Sequence, residues 1–232
     1  MFYYYGRKAG IAHKYPEPRF PTIVEPFAGS AAYSLHGDRW RSAVVLVEKN
    51  PRVAELWRWL ITASPEDILA VPPISPGDKV TDLLRILHAA TKGAFGYRTI
   101  TVTPMMATNW NRNRLKMAAS IHKVKHWQIV EGDYTEAPDI DATWFIDPPY
   151  APNGRTQYMG AGRPGDGYNT PPLDYRALSK WCRSRRGQVM VCEQAGASWL
   201  PFRTLASLRA STGRMTKEAV WESGESQQMI GF

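Results

Sequence analysis

The stretch Ala142-Thr143-Trp144-Phe145-Ile146-Asp147-Pro148-Pro149-Tyr150 decides how the rest of the chain is read. Its apolar run predicts a buried parallel strand. Asp147 ends that strand, which puts an acid at the carboxyl edge of the sheet, where open α/β sheets bind ligands. Two prolines then fix φ and remove two backbone donors, so neither strand nor helix continues through them. An acid, a rigid carbonyl-bearing kink and an aromatic ring are thereby held at the lip of the sheet.

Those groups suit the activation of a poor nitrogen nucleophile. The lone pair of an exocyclic amino group on a nucleobase is delocalised into the ring. A carboxylate (Asp147) and a main-chain carbonyl (Pro148) accept its two hydrogens and leave the lone pair free, while Tyr150 stacks on the flat base. The plainer reading is a rigid turn whose Asp147 caps the next element, and four residues alone do not separate the two.

Upstream, Thr22-Ile23-Val24-Glu25-Pro26-Phe27-Ala28-Gly29-Ser30 predicts a strand and a tight small-residue turn, with a helix starting near Ser30. Such a turn offers free amides to a ligand. Ala43-Val44-Val45-Leu46-Val47-Glu48 is a second strand ending in an acid, at the spacing from Gly29 that nucleotide-binding α/β folds use for ribose hydroxyls. A helix follows Asn50-Pro51, its Val53, Leu56, Trp57, Leu60 and Ile61 forming a core stripe. Trp127 to Tyr134 predicts a third strand, closing on Glu131-Gly132-Asp133-Tyr134. At the amino end, Tyr3-Tyr4-Tyr5-Gly6-Arg7-Lys8 fits an arm closing over a ligand and fits an irregular packed segment equally well.

Residues 72–126 read as an insertion between the second and third strands, with nine lysines and arginines against Asp78 and Asp82, a net +7. Arg98, Asn109, Trp110, Arg112, Arg114, Lys116 and Lys123 are its candidates for phosphate and base contacts, although a solvated helix face explains part of the charge. A basic amphipathic helix is expected after Arg114, with Met117, Ile121 and Val124 on one side. His122 and His126 lack a third ligand nearby, so no metal site is expected. Residues 151–172 form a long glycine- and proline-rich loop in which Arg155 and Arg163 are further candidates for substrate contact. A helix from Asp174 to about Ser184, a fifth strand over Gln188–Glu193, and an antiparallel edge from Phe202–Leu208 with Val220-Trp221 or Met229-Ile230 complete the chain.

The whole chain, 232 residues with a net charge of +8, fits a polyanionic partner. Two cysteines without paired spacing read as reduced thiols. No signal peptide or membrane-length apolar run appears, which leads to the expectation of a cytoplasmic protein without a membrane partner.

Taken in order, Glu25-Pro26-Phe27-Ala28-Gly29-Ser30, Glu48, Gly132-Asp133-Tyr134 and Asp147-Pro148-Pro149-Tyr150-Ala151-Pro152 resemble the DNA adenine-N6 methyltransferases of the Dam type, as does the Tyr5-Gly6-Arg7-Lys8 opening. The resemblance extends to about Trp199. It implies a Rossmann-like α/β fold of the S-adenosylmethionine-dependent methyltransferase class, with a mixed seven-stranded sheet made by residues 1–71 and 127–232 and a small basic target-recognition insertion at 72–126. It further implies that Phe27 to Ser30 flank the methionine part of S-adenosylmethionine, with Tyr5, Gly6, Lys8, Glu25 and Pro26 around the same end. Glu48, beside Asn50, would hold the ribose hydroxyls, and Asp133, beside Tyr134, would meet the cofactor's adenine. Asp147, Pro148, Pro149 and Tyr150 would form the catalytic motif, acting as a monomer on adenine flipped out of double-stranded DNA in a bacterium or phage-infected host. Arg7 stands where the family usually has glycine, and the insertion has no obvious match to the Dam-type recognition hairpin, so the target sequence is left open. Two alternatives stay beside this: a methyltransferase on another amine (RNA adenine, cytosine N4), and a DNA-binding module with a relic cofactor pocket.

Overall fold

The computed structural model describes residues 1–2, 8–89, 99–151, 173–209 and 215–223. Tyr5, Gly6, Arg98, Arg155 and Arg163 lie outside the described residues, as do residues 152–172 of the glycine-rich loop and the Met229-Ile230 alternative.

The strands in chain order are β1 (Thr22–Glu25), β2 (Ala43–Glu48), β3 (Lys79–Val80), β4 (Ile100–Thr101), β5 (Gln128–Glu131), β6 (Ala142–Ile146), β7 (Gly187–Gln194), β8 (Arg203–Arg209) and β9 (Met215–Glu222). Seven of them form one mixed sheet in the order β5-β2-β1-β6-β7-β9-β8, and β3 and β4 pair separately. β5, β2, β1, β6 and β7 run parallel, whereas β9 lies antiparallel to both β7 and β8. The parallel part therefore winds outward in one direction from β1 through β2 to β5, then returns to the other side of β1 at β6. That reversal is a topological switch point, and the crevice outside the carboxyl ends of β1 and β6 is where such sheets take ligands.

The strands are apolar on both faces, as buried parallel strands must be. Ile23, Val44, Leu46, Phe145 and Met190 point to one face, where they join the helix α1 (Pro51–Thr62) and the amino-terminal residues Phe2, Ile11 and Tyr15. Val24, Val45, Val47, Trp144, Ile146 and Val189 point to the other, against α5 (Tyr175–Ser184). Each helix begins where its sequence signals: the Asn50 side chain accepts Arg52 N–H ahead of Pro51, and Asp174 accepts the amides of Arg176 and Ala177.

The described residues of the segment 72–126 join the main core. Ile74, Val80, Leu84, Ile100, Val102 and Trp110 belong to the same apolar cluster as the α1 face of the sheet. α2 (Pro65–Ala70), opened by a Ser64/Asp67 capping box, packs with α3 (Leu83–Ala89) against α4 (Pro104–Ser120). α4 begins at Pro104, capped by Thr103, eleven residues before the start expected after Arg114, so Asn109 to Arg114 are already helical.

The expected helix at Ser30 is also corrected. Residues 29–38 form successive turns, with Gly29, Ala31 and Gly37 all at positive φ. Glu25 gives the reason. Its carboxylate accepts both the Ser34 N–H and the Ser34 hydroxyl, so a side chain holds a donor that a helix would give to a carbonyl.

Among the described residues no helix is long and apolar enough to cross a membrane.

Candidate active site

β1, β2, β5 and β6 are neighbours in the sheet, and their carboxyl ends carry Glu25, Glu48, Asp133 and Asp147 along one edge. On β2, the buried Glu48 carboxylate accepts Gly29 N–H at 3.0 Å and Asn50 N–H at 2.8 Å. Burial raises its pKa to about 7 against those backbone donors. The Gly29 carbonyl accepts the Trp57 indole at 2.9 Å, so the turn after β1 is clamped from both sides. Ala31 in this turn sits at φ 48°, a conformation a non-glycine residue holds only when its surroundings impose it.

Phe27 and Tyr134 stack at 5.5 Å between ring centroids, bridging from the end of β1 to the end of β5. Lys49 pairs with Asp133 at 2.6 Å, half in solvent. Glu25 does not face this edge. It is 3% exposed, bound to Ser34, and burial raises its pKa to about 7, so its role is to build the turn rather than to meet a ligand. Pro26, Ala28 and Ser30 are likewise buried within the turn. A cavity of about 140 Å³ opens on the far side of Ser30, lined by Met1, Phe2, Ala32 and Leu35, and none of the acids lines it.

At β6, Lys8 Nζ lies 2.8 Å from Asp147 Oδ1 and 4.6 Å from the centre of the Tyr150 ring. Burial pulls Lys8 down, but the Asp147 and Glu218 carboxylates more than reverse this, and its pKa is raised. Burial pushes Asp147 up to about 6, with the Lys8 ammonium holding it back. Both are charged at neutral pH. The Tyr175 hydroxyl donates to the Pro149 carbonyl at 2.8 Å, and Ala151 N–H donates to Glu193, so the kink after Asp147 is fixed from α5 and β7.

Sequence reasoning missed Glu218, Tyr15, Tyr175 and Glu193. Glu218 accepts the hydroxyls of Tyr15, at 2.8 Å, and Tyr150, and lies 3.6 Å from Lys8 Nζ. Its signal was present: Glu218 shares a face of β9 with the buried Val220, and an acid at an inward strand position demands partners. Tyr15 is brought there by Arg39, a buried arginine whose guanidinium donates to the carbonyls of Ala12 and Tyr15 and pairs with Glu17.

The basic candidates divide. Trp110 is fully buried and donates to the Pro72 carbonyl, and Arg114 donates to the carbonyls of Leu69 and Val71 at the end of α2. Lys125 does the same for α1, at Leu60, Ile61 and Ala63. These side chains hold helix ends, and the expectation of nucleic-acid contact for Trp110 and Arg114 is corrected accordingly. Arg112 and Lys116 are exposed on α4, with Asn109 half-buried and hydrogen-bonded to Arg112. Lys123 sits 5.7 Å from the Trp40 ring, beside the amino end of β2, and therefore at the opposite edge of the sheet from Asp147.

Both cysteines are buried free thiols. Among the described residues, no group of three or more His, Cys, Asp or Glu is arranged to hold a metal ion. Comparison with protein-family models finds none that matches the chain, and comparison with curated protein sequences finds no match.

Proposed function

We propose that the protein is an S-adenosylmethionine-dependent methyltransferase acting on the exocyclic amino group of adenine in double-stranded DNA. One observation carries the reading: Glu48, Asp133 and Asp147 end neighbouring parallel strands around a single switch point, with the Phe27–Ser30 turn between them.

The donor set fits the cofactor. Glu48 Oε2 accepts Gly29 N–H and Oε1 accepts Asn50 N–H, a carboxylate held in place by backbone donors in a way that suits adjacent ribose hydroxyls. Asp133 suits an adenine amino group, with Phe27 and Tyr134 supplying flat apolar surface beside it. Asp147, with Glu218 behind it, supplies negative charge for a cationic sulfur. Bound S-adenosylmethionine would supply an electrophilic methyl group, leaving the protein to position and polarise the acceptor.

Asp147, ionised above about pH 6, accepts a hydrogen from the acceptor amine and balances the positive charge that develops as its nitrogen forms a new bond. The Pro148 carbonyl accepts the second hydrogen. Tyr175 engages the Pro149 carbonyl instead, which keeps the kink rigid. Tyr150 provides the stacking surface for a base taken out of its duplex, at a cost of a few kcal/mol of unstacking. Arg112 and Lys116, exposed on α4, provide phosphate contacts.

The test is incubation with methyl-labelled S-adenosylmethionine and unmodified duplex DNA, followed by digestion to nucleosides. Label on N6-methyldeoxyadenosine is expected, lost in Asp147→Ala while cofactor binding persists. Label on another nucleoside moves the reading to another amine acceptor. Failure to bind S-adenosylmethionine removes it.

A further inference from the structure

We infer that Glu218 is a positioning residue for the acceptor half of the site: it holds the Tyr150 ring in place and takes over the Lys8 ammonium when Asp147 turns to the acceptor amine. The inference rests on the methyl-transfer reading of this site.

In the structure the Lys8 ammonium occupies the position that reading gives to the acceptor nitrogen. It is hydrogen-bonded to Asp147 at 2.8 Å and lies over the Tyr150 ring at 4.6 Å. An amine cannot use Asp147 Oδ1 from that position until Lys8 gives way. Lys8 is 6% exposed, and a buried ammonium without a counter-charge is strongly disfavoured. Glu218 Oε1 is already 3.6 Å away, so the charge is transferred between carboxylates rather than abandoned. That oxygen already accepts the Tyr15 and Tyr150 hydroxyls, so Glu218 balances the Lys8 charge by proximity rather than through a further hydrogen bond to it.

The same oxygen fixes the ring. The Tyr150 hydroxyl is tied to Glu218, so the far end of the side chain is anchored and the ring as a whole cannot swing away about its Cα–Cβ bond. The Tyr15 hydroxyl, bound to that oxygen at 2.8 Å, sets the carboxylate's own orientation, and Arg39 holds Tyr15 through its carbonyl. Glu218 is 6% exposed and comes from β9, which lies antiparallel to both β7 and β8. Its effect runs through Lys8 and Tyr150.

Glu218→Gln keeps the size and an acceptor oxygen but removes the charge. The expected result is a kcat lower by about tenfold or more and a raised KM for DNA, with the cofactor Kd within about twofold of the unaltered protein. Glu218→Asp, which retains the charge, should recover part of the kcat. A second readout needs no turnover: competitive acetylation at mildly alkaline pH, followed peptide by peptide by mass spectrometry. Lys8 should become about tenfold more reactive in Glu218→Gln, as its ammonium loses one counter-charge, while exposed Lys14 serves as the reference. Melting temperature verifies that each variant is folded. Unchanged kinetics in a folded Glu218→Gln protein overturn the inference, whatever the labelling shows. If the unaltered protein transfers no methyl group, the proposed function falls and the inference with it, while the labelling still reports whether Glu218 and Lys8 are coupled.

Discussion

Gly29 donates its amide to the Glu48 carboxylate at 3.0 Å, joining the turn after β1 to the end of β2 across nineteen residues of sequence. Glu48 shapes the turn, and in the proposed reading it also holds the ribose hydroxyls of the cofactor. Glu48→Ala should weaken S-adenosylmethionine binding by about ten- to a hundredfold, the effect of losing charge-assisted hydrogen bonds. Isothermal titration calorimetry measures it. Glu48→Gln keeps the acceptor geometry toward Gly29 and should lose less, so equal losses in the two variants would count against the ribose role.

Stability and activity should respond to pH in opposite directions. Glu25 and Glu48 have pKa values raised by burial to about 7, against about 4.5 in the unfolded chain. Between these values the folded state binds more protons than the unfolded one, so stability falls as pH rises. The melting temperature of the ligand-free protein should be higher at pH 5.5 than at pH 8, and Glu25→Gln should flatten that difference. The proposed methyl transfer would need ionised Asp147, whose pKa burial raises to about 6, and should decline over the same acidic range. Parallel rather than opposed trends would show that Asp147 ionisation does not govern the rate.

Gly187 opens β7 at φ 97°, opposite Ala142 in β6. A Cβ there would collide with the Ala142 carbonyl oxygen and lie 2.9 Å from its nitrogen, against backbone that cannot step aside. Gly187→Ala should cost about 3 kcal/mol or more in chemical denaturation. A loss below about 1 kcal/mol would mean that the β6–β7 register adjusts.

Within α4, neighbouring residues should separate fold from nucleic-acid binding. Trp110→Ala removes a fully buried ring and should destabilise by about 3–5 kcal/mol. Arg112→Ala combined with Lys116→Ala should leave the melting temperature nearly unchanged, weaken duplex binding, and reduce the salt slope by about 1 per lost phosphate contact. Binding titrations at several salt concentrations decide this, and an unaltered slope would place the DNA on another surface.

The strands were legible because buried parallel strands require unbroken apolar runs, and β2 and β6 have them next to terminal acids. Helix starts at Asn50-Pro51 and Asp174 followed from caps whose signal is local. The turn at Ser30 was not legible, because Glu25 diverts Ser34 through a contact nine residues away. Trp110 and Arg114 read as a nucleic-acid surface because composition counts charges and rings without showing which helix ends they cover. Glu218 escaped notice because its partners Lys8, Tyr15 and Tyr150 are far from it in sequence, and the antiparallel entry of β9 beside β7 brings them together.

That placement of β9 has a consequence for the order in which the site matures. The acids assigned to the cofactor are all present once β6 has been made, while the carboxylate shared by Tyr15, Tyr150 and Lys8 arrives only with β9. During synthesis from the amino end, the first-made segment must wait for the last-made strand before the acceptor half has its geometry. If the proposed methyl transfer is correct, the residues for the small ligand precede in the chain the carboxylate that completes the half facing the polymer, and competence toward the polymer is the last property acquired.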